Sequence, residues 1–292
     1  MGLASCSSDL GQDAGHSHSH THPAVDPASL GAPDRMVAGP QGRVPQFVVE
    51  CAFSHAATND PIVWFGQPGA SHLHVFFGNT TTDAFSTLDS LDAGDTTCDQ
   101  PLDRASYWAP ALLRDGELLE PVKSTAYYRP GPDVDPTTVQ PYPAGLMMLA
   151  GDPAAASPQP MSVVSWGCGA GSQRWDAPPT CPVGRDARLV VTFPDCWDGV
   201  RTDSDDHRSH MAYSAGGRCP EGHPVPVPQL QFSVEYPLSG ETTGVIELAS
   251  GGSYSGHADF FNAWDADKLA HEIEVCLHRG VVCGVASGKT TG

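Results

Sequence analysis

The chain has 292 residues, 40% of them hydrophobic and 17% charged, with 31 Gly and 27 Pro. That is too apolar for a disordered protein and too rich in turn formers for a helical bundle; it suits many short strands joined by structured loops. The net charge of −19, from 34 acids against 15 bases, leaves no basic footprint for nucleic acid or for an anionic membrane surface.

Residues 1–44 read as a lipoprotein-type leader followed by a flexible tether rich in Gly, Ser, Asp, Pro and His. Leu3-Ala4-Ser5-Cys6 is similar to a bacterial lipobox, which makes Cys6 the expected lipid anchor and the cell surface the expected location. His16, His18, His20 and His22 alternate with Ser and Thr and can loosely chelate zinc, copper or nickel. The plainer reading is a solvated tether, because ordering a floppy tract costs entropy. No apolar run approaches the roughly 20 residues of a membrane helix.

Residues 45–286 read as one disulfide-bonded β domain, and 287–292 as a disordered tail. Runs rich in Val, Phe, Tyr and Leu between turn residues predict strands over 46–51, 62–65, 72–77, 122–128, 145–150, 161–166, 188–193, 230–236 and 244–249. A weaker pattern predicts a helix over 103–113. A stronger one predicts a helix over 266–279, with Asp265 as cap, Leu269, Ile273, Cys276 and Leu277 on one face, and Gly280 as the stop. The expected architecture is a mainly antiparallel β-sandwich, jelly-roll-like, with long loops and a C-terminal helix. With Cys6 set aside, eight cysteines remain and none forms a CxxC pair. Four disulfides in an exported protein are expected, in chain order Cys51–Cys98, Cys168–Cys181, Cys196–Cys219 and Cys276–Cys283.

Three segments concentrate chemistry. In Ser71-His72-Leu73-His74-Val75-Phe76-Phe77-Gly78, a strand puts His72 and His74 on one face, where they can hold a metal or serve as base and orienting donor. The segment 203–213 packs Asp203, Asp205, Asp206, His207, Arg208, His210 and Tyr213 together. His210 is expected inward and His207 at the rim, with calcium as a rival reading of the carboxylates. In 254–265, His257 and Asp259 sit two apart among aromatic residues, so the acid can orient the imidazole. For each segment the plainer reading is a polar face or loop whose groups satisfy local backbone.

With Phe193-Pro194-Asp195-Cys196-Trp197-Asp198-Gly199, these segments resemble a family of domains of unknown function, number nineteen ninety-six, found in secreted bacterial and fungal proteins. The likeness covers roughly residues 47–276; Ala263 stands where the family pattern leads us to expect Gly. The resemblance implies export and a single extracellular domain. Fungal relatives are often joined to carbohydrate-binding modules, which implies contact with polysaccharide. It supplies no reaction.

The leading expectation is a surface-anchored, monomeric hydrolase or lyase acting on polysaccharide. His72, His74, His210 and His257 would form its site, Asp259 and Asp206 would orient them, Tyr213 would donate a proton, and Arg208 would neutralise a sugar carboxylate. Trp108 and Trp197 are candidates for stacking on sugar rings. The alternative is an extracellular protein in which the same four histidines bind copper or zinc without catalysis. A carbohydrate-binding or adhesion module is a further alternative.

Overall fold

The computed structural model describes residues 44–240 and 243–284. The expectations for Cys6, for the His16–His22 tract and for the tail over 287–292 lie outside the described residues. Eleven strands build two sheets: β1 (Gln46–Cys51), β2 (Phe53–Ala57), β3 (His74–Gly78), β4 (Ser106–Pro110), β5 (Lys123–Arg129), β6 (Met147–Gly151), β7 (Val164–Cys168), β8 (Ala187–Thr192), β9 (Gln229–Tyr236), β10 (His257–Phe261) and β11 (Val282–Cys283). One sheet has the order β11-β1-β5-β9-β8-β7 and the other β2-β3-β4-β10-β6. All pairs are antiparallel except β1 with β11. The chain is mostly β, with a single C-terminal helical segment, as its composition implies.

Alternation explains the layering. Val75, Phe77, Tyr107, Ala258 and Phe260 of the five-stranded sheet share one apolar cluster with Phe47, Tyr128, Phe232 and Val234 of the six-stranded sheet. Ring pairs cross the interface, with Phe77–Phe232 at 5.8 Å and a stacked Tyr107–Phe232 pair at 5.5 Å. The opposite face of the five-stranded sheet carries a second, smaller cluster built on Phe76, Trp108 and Phe261 beneath Ile62 and Leu91.

Three expectations are corrected. Residues 103–113 form β4 and a short strand, Leu112–Arg114, rather than a helix. Pro110 forbids a helix interior there, and Tyr107 and Trp108 suit a buried pleat. Residues 62–65 form turns rather than a strand, because the Asp60 carboxylate accepts the N–H groups of Ile62 and Val63 at 3.0 Å and closes the backbone on itself. His72 lies just before β3, not in it. The C-terminal helix runs Ala266–Glu272 and continues as a π turn over Ile273–His278. Asp265 caps it by accepting the Lys268 N–H at 2.9 Å, and Gly280 follows with φ of 69°. All four disulfides pair as chain order predicted.

One polar chain runs through the core between the sheets. Tyr107 O–H donates to Asp103 Oδ2 at 2.6 Å, the Tyr107 and Tyr128 hydroxyls share a hydrogen bond, and Trp264 Nε1–H donates to Tyr128 Oη at 3.1 Å. Burial pushes the Asp103 carboxyl up to about 8, against partial opposition from its Tyr107 and Ala105 hydrogen bonds. The folded state therefore holds this proton more tightly than the unfolded chain, in which the group titrates near 3.8. Its contribution to stability is complete below that value and is lost as pH rises through about 8. The melting temperature should fall between about pH 5 and pH 9, and Asp103→Asn should flatten that fall; thermal unfolding at the two pH values checks it.

Candidate metal centre

Strand register aligns the outer face of the five-stranded sheet in rows. His74 on β3 stands opposite Pro110 on β4. Asp259 on β10 stands opposite Trp108 on β4 and Leu149 on β6, and His257 stands opposite Gly151. Continuing that register brings His257 level with Pro110. The two imidazoles thus meet across a central strand whose intervening side chain is an apolar ring. His72 folds over from the residue before Leu73, and its ring centroid lies 4.2 Å from that of His74.

The three rings converge through their Nε2 atoms. His72 Nε2 is 3.1 Å and His74 Nε2 3.5 Å from His257 Nε2. One ligand atom of each lies within 4.8 Å of the others. The Nδ1 atoms point the other way, with His74 Nδ1 at 2.9 Å from the Asn59 carbonyl and His257 Nδ1 at 2.8 Å from that of Ser255. A carbonyl only accepts, so both Nδ1 atoms carry the proton and both Nε2 atoms are lone pairs. Burial lowers all three: His72 to about 4, His257 to about 3, and His74 well below its ordinary value, with the neighbouring imidazoles adding to the effect. At neutral pH the three are uncharged and able to ligate.

The remaining expected residues are placed differently. His210 is fully buried but away from this trio, with Nδ1 at 2.9 Å from Ser204 Oγ and Nε2 at 2.7 Å from the Met147 carbonyl. Met147 lies opposite Phe261, two rows along from His257. At about 3.3 Å per residue, that distance separates His210 from the convergent nitrogens. Asp259 is buried in the row beside the trio, yet its Oδ2 has no hydrogen-bond partner among the described residues. The orienting partner of His257 is the Ser255 carbonyl instead. Burial and the nearby Asp60 carboxylate push Asp259 well up, which the Arg208 charge partly opposes. Asp206 caps its own loop, accepting from Ser204 Oγ and from the N–H groups of Arg208 and Ser209. Arg208 donates to the Gly151 carbonyl at 2.8 Å, beside His257. Tyr213 donates to the Thr192 carbonyl, and with Arg208, Gly151 and Leu149 it lines an open cleft of about 250 Å³. His207 pairs with Asp203 at 2.9 Å. Trp108 is buried in the sheet face, out of reach of a sugar, whereas Trp197 is half-buried, with its Nε1–H on the Arg201 carbonyl.

A family model described as a domain of unknown function, DUF1996, matches residues 60–264. The chain belongs to the DUF1996 family. No curated protein and no solved structure matches it. The DUF1996 match spans His72, His74 and His257 as well as the residues of both outer rows. Two contributors to this site are not singled out by the sequence, the Asn59 carbonyl and Asp60. Their one signal was Asn59-Asp60-Pro61, a turn former in front of an apolar run.

Gly151 allows the close approach of β6 to His257. Its φ is +84°, and a Cβ there would lie 2.5 Å from the Gly256 carbonyl oxygen and 2.8 Å from His257 Cα. Gly151→Ala should cost about 1–3 kcal/mol in stability, measured by chemical unfolding, because neither backbone can move freely.

Proposed function

We propose that this is an exported, metal-dependent domain acting on polysaccharide, with copper or zinc held by His72, His74 and His257. The observation that carries the reading is the pair of buried Nε2 lone pairs, of His74 and His257, that face each other at 3.5 Å. A proton on His72 Nε2 can satisfy His257 but leaves His74 without a donor. A cation among the three satisfies all of them. Ligand bonds of about 2.0–2.1 Å in tetrahedral geometry require nitrogens about 3.3 Å apart, which matches both separations.

Three imidazoles leave a coordination position open, as catalytic sites do. A metal held by His72, His74 and His257 would supply a water activated as a nucleophile at neutral pH. This favours hydrolysis over a lyase in which a free histidine takes the proton, because the Nε2 atoms point at one another and not outward. Arg208, fixed on the Gly151 carbonyl, and Tyr213 stand in the adjoining cleft, where they can position substrate. Four disulfides support an oxidising, extracellular setting, with Cys6 as the proposed lipid anchor. A metal site without catalysis is the second reading, favoured by the burial of His74 and His257.

The test uses the full chain with His16, His18, His20 and His22 replaced by Asn, purified without a nickel column. Mass spectrometry should find about one equivalent of copper or zinc, and the metal should raise the melting temperature. His74→Ala and His257→Ala should lose both effects, whereas His210→Ala should keep them. Metal content that is zero after reconstitution, or unchanged in His74→Ala, overturns the proposal. Release of reducing ends from a polysaccharide panel, lost in His74→Ala, separates the catalytic reading from the second one.

A further inference from the structure

The loop that brings the Asn59 carbonyl to His74 also holds aromatic rings in solvent. Trp64 is 41% exposed and Phe65 56%. Phe85, from the segment alongside, is 57% exposed. These rings stand on pinned backbone. Trp64 N–H donates to the Asp60 carbonyl at 3.0 Å, and Gly66 N–H donates to the Ala84 carbonyl at 2.7 Å, tying the two segments together. Phe85 N–H donates to Asp83 Oδ1 at 2.8 Å. Three aromatic side chains exposed together on a fixed support mark an interaction surface and not scattered surface apolarity.

An open cleft of about 480 Å³ is lined by Asn59 and Asp83, which belong to the same two segments. Ser54, Thr80, Thr81 and Thr82 add hydroxyls to its wall, and among the described residues no Lys or Arg lines it. The one basic side chain there, His55, lies stacked on Phe76 with its centroid 4.7 Å away. Its Nδ1 meets Ser54 Oγ and its Nε2 the Thr82 carbonyl, both at 2.9 Å. The wall therefore offers hydroxyl, amide and carboxylate groups on the segments that also carry the flat apolar rings, and no Lys or Arg among the described residues.

We propose that Trp64, Phe65, Phe85 and this cleft form a docking subsite for a neutral polysaccharide. A sugar ring presents a C–H face that packs on an aromatic ring and a hydroxyl edge that bonds to hydroxyl, amide and carboxylate groups. The absence of cations disfavours phosphate, sulfate and uronate ligands. A nucleic acid would stack on the same rings, but a chain of net charge −19 repels its phosphates. The inference rests on the polysaccharide reading above and narrows it to neutral chains, which dock beside the three-histidine centre.

The full chain is incubated with microcrystalline cellulose, chitin, xylan and starch, with calcium polygalacturonate as the acidic control, and the bound fraction is measured. The protein should bind at least one neutral polysaccharide and not the acidic one. Trp64→Ala/Phe65→Ala/Phe85→Ala together should weaken binding by about tenfold or more, with metal content unchanged. The parent chain treated with a chelator, which removes the metal alone, should bind the glycan as the untreated chain does. Should the triple variant unfold, Phe85→Ala alone should still weaken binding about threefold. Binding to no neutral polysaccharide, preference for the acidic one, or undiminished binding in the folded variants overturns the proposal. So does concentration-dependent dimerisation that the triple variant abolishes, since the rings would then serve a second copy of the chain.

Discussion

Two backbone carbonyls, those of Asn59 and Ser255, each accept an Nδ1–H from a buried imidazole. Each comes from a loop, one after β2 and one before β10, so loop conformation selects the tautomer of a residue on a strand. Once the tautomers are set, His74 and His257 must present lone pairs to each other in a space that water does not easily reach. Unsatisfied acceptors in such a place are costly, and every nearby group has to be consistent with them. The depressed basicity of the three rings follows from the same burial.

The five-stranded sheet separates two kinds of interior. Its inner face joins the six-stranded sheet through aromatic packing, reinforced by the chain from Asp103 through Tyr107 and Tyr128 to Trp264. Its outer face carries imidazoles and a carboxyl among apolar neighbours, roofed in part by the turn at Asp60. Register couples the two. Tyr107 points into the shared core while Trp108, its neighbour, lies opposite Asp259 on the outer face. A slip of β4 by one residue would exchange the faces and disrupt both the core and the polar rows.

The sequence made the His-x-His pair and the His257/Asp259 segment visible as candidates, because paired polar residues in apolar runs stand out. Pairing the cysteines in chain order, with Cys6 set aside, also matches the four disulfides. The sequence did not disclose β10, whose residues are buried on both faces; His257 and Asp259 broke the apolar run that usually marks a buried strand. Nor did it separate His210 from the trio. His210 sits among groups of the same kind, and only cross-strand register shows that it lies two rows away. The turn at Asp60 was obscured for a different reason: Ile62, Val63, Trp64 and Phe65 have the composition of a strand, and a single carboxylate overrides it by capturing two of their N–H groups. The aromatic surface on that turn was hidden for the same reason.

His257 lies 183 residues or more along the chain from the other two converging imidazoles, and it sits on an interior strand of its sheet. A chain synthesised only as far as the end of β9 holds two of the three, with the slot between β4 and β6 still vacant. The ion site proposed above is therefore assembled only when β10 is in place, and not in a chain that stops before it. An ion that prefers the complete trio acts as a latch thrown last, resisting the departure of β10 and, with it, the parting of the sheet into halves.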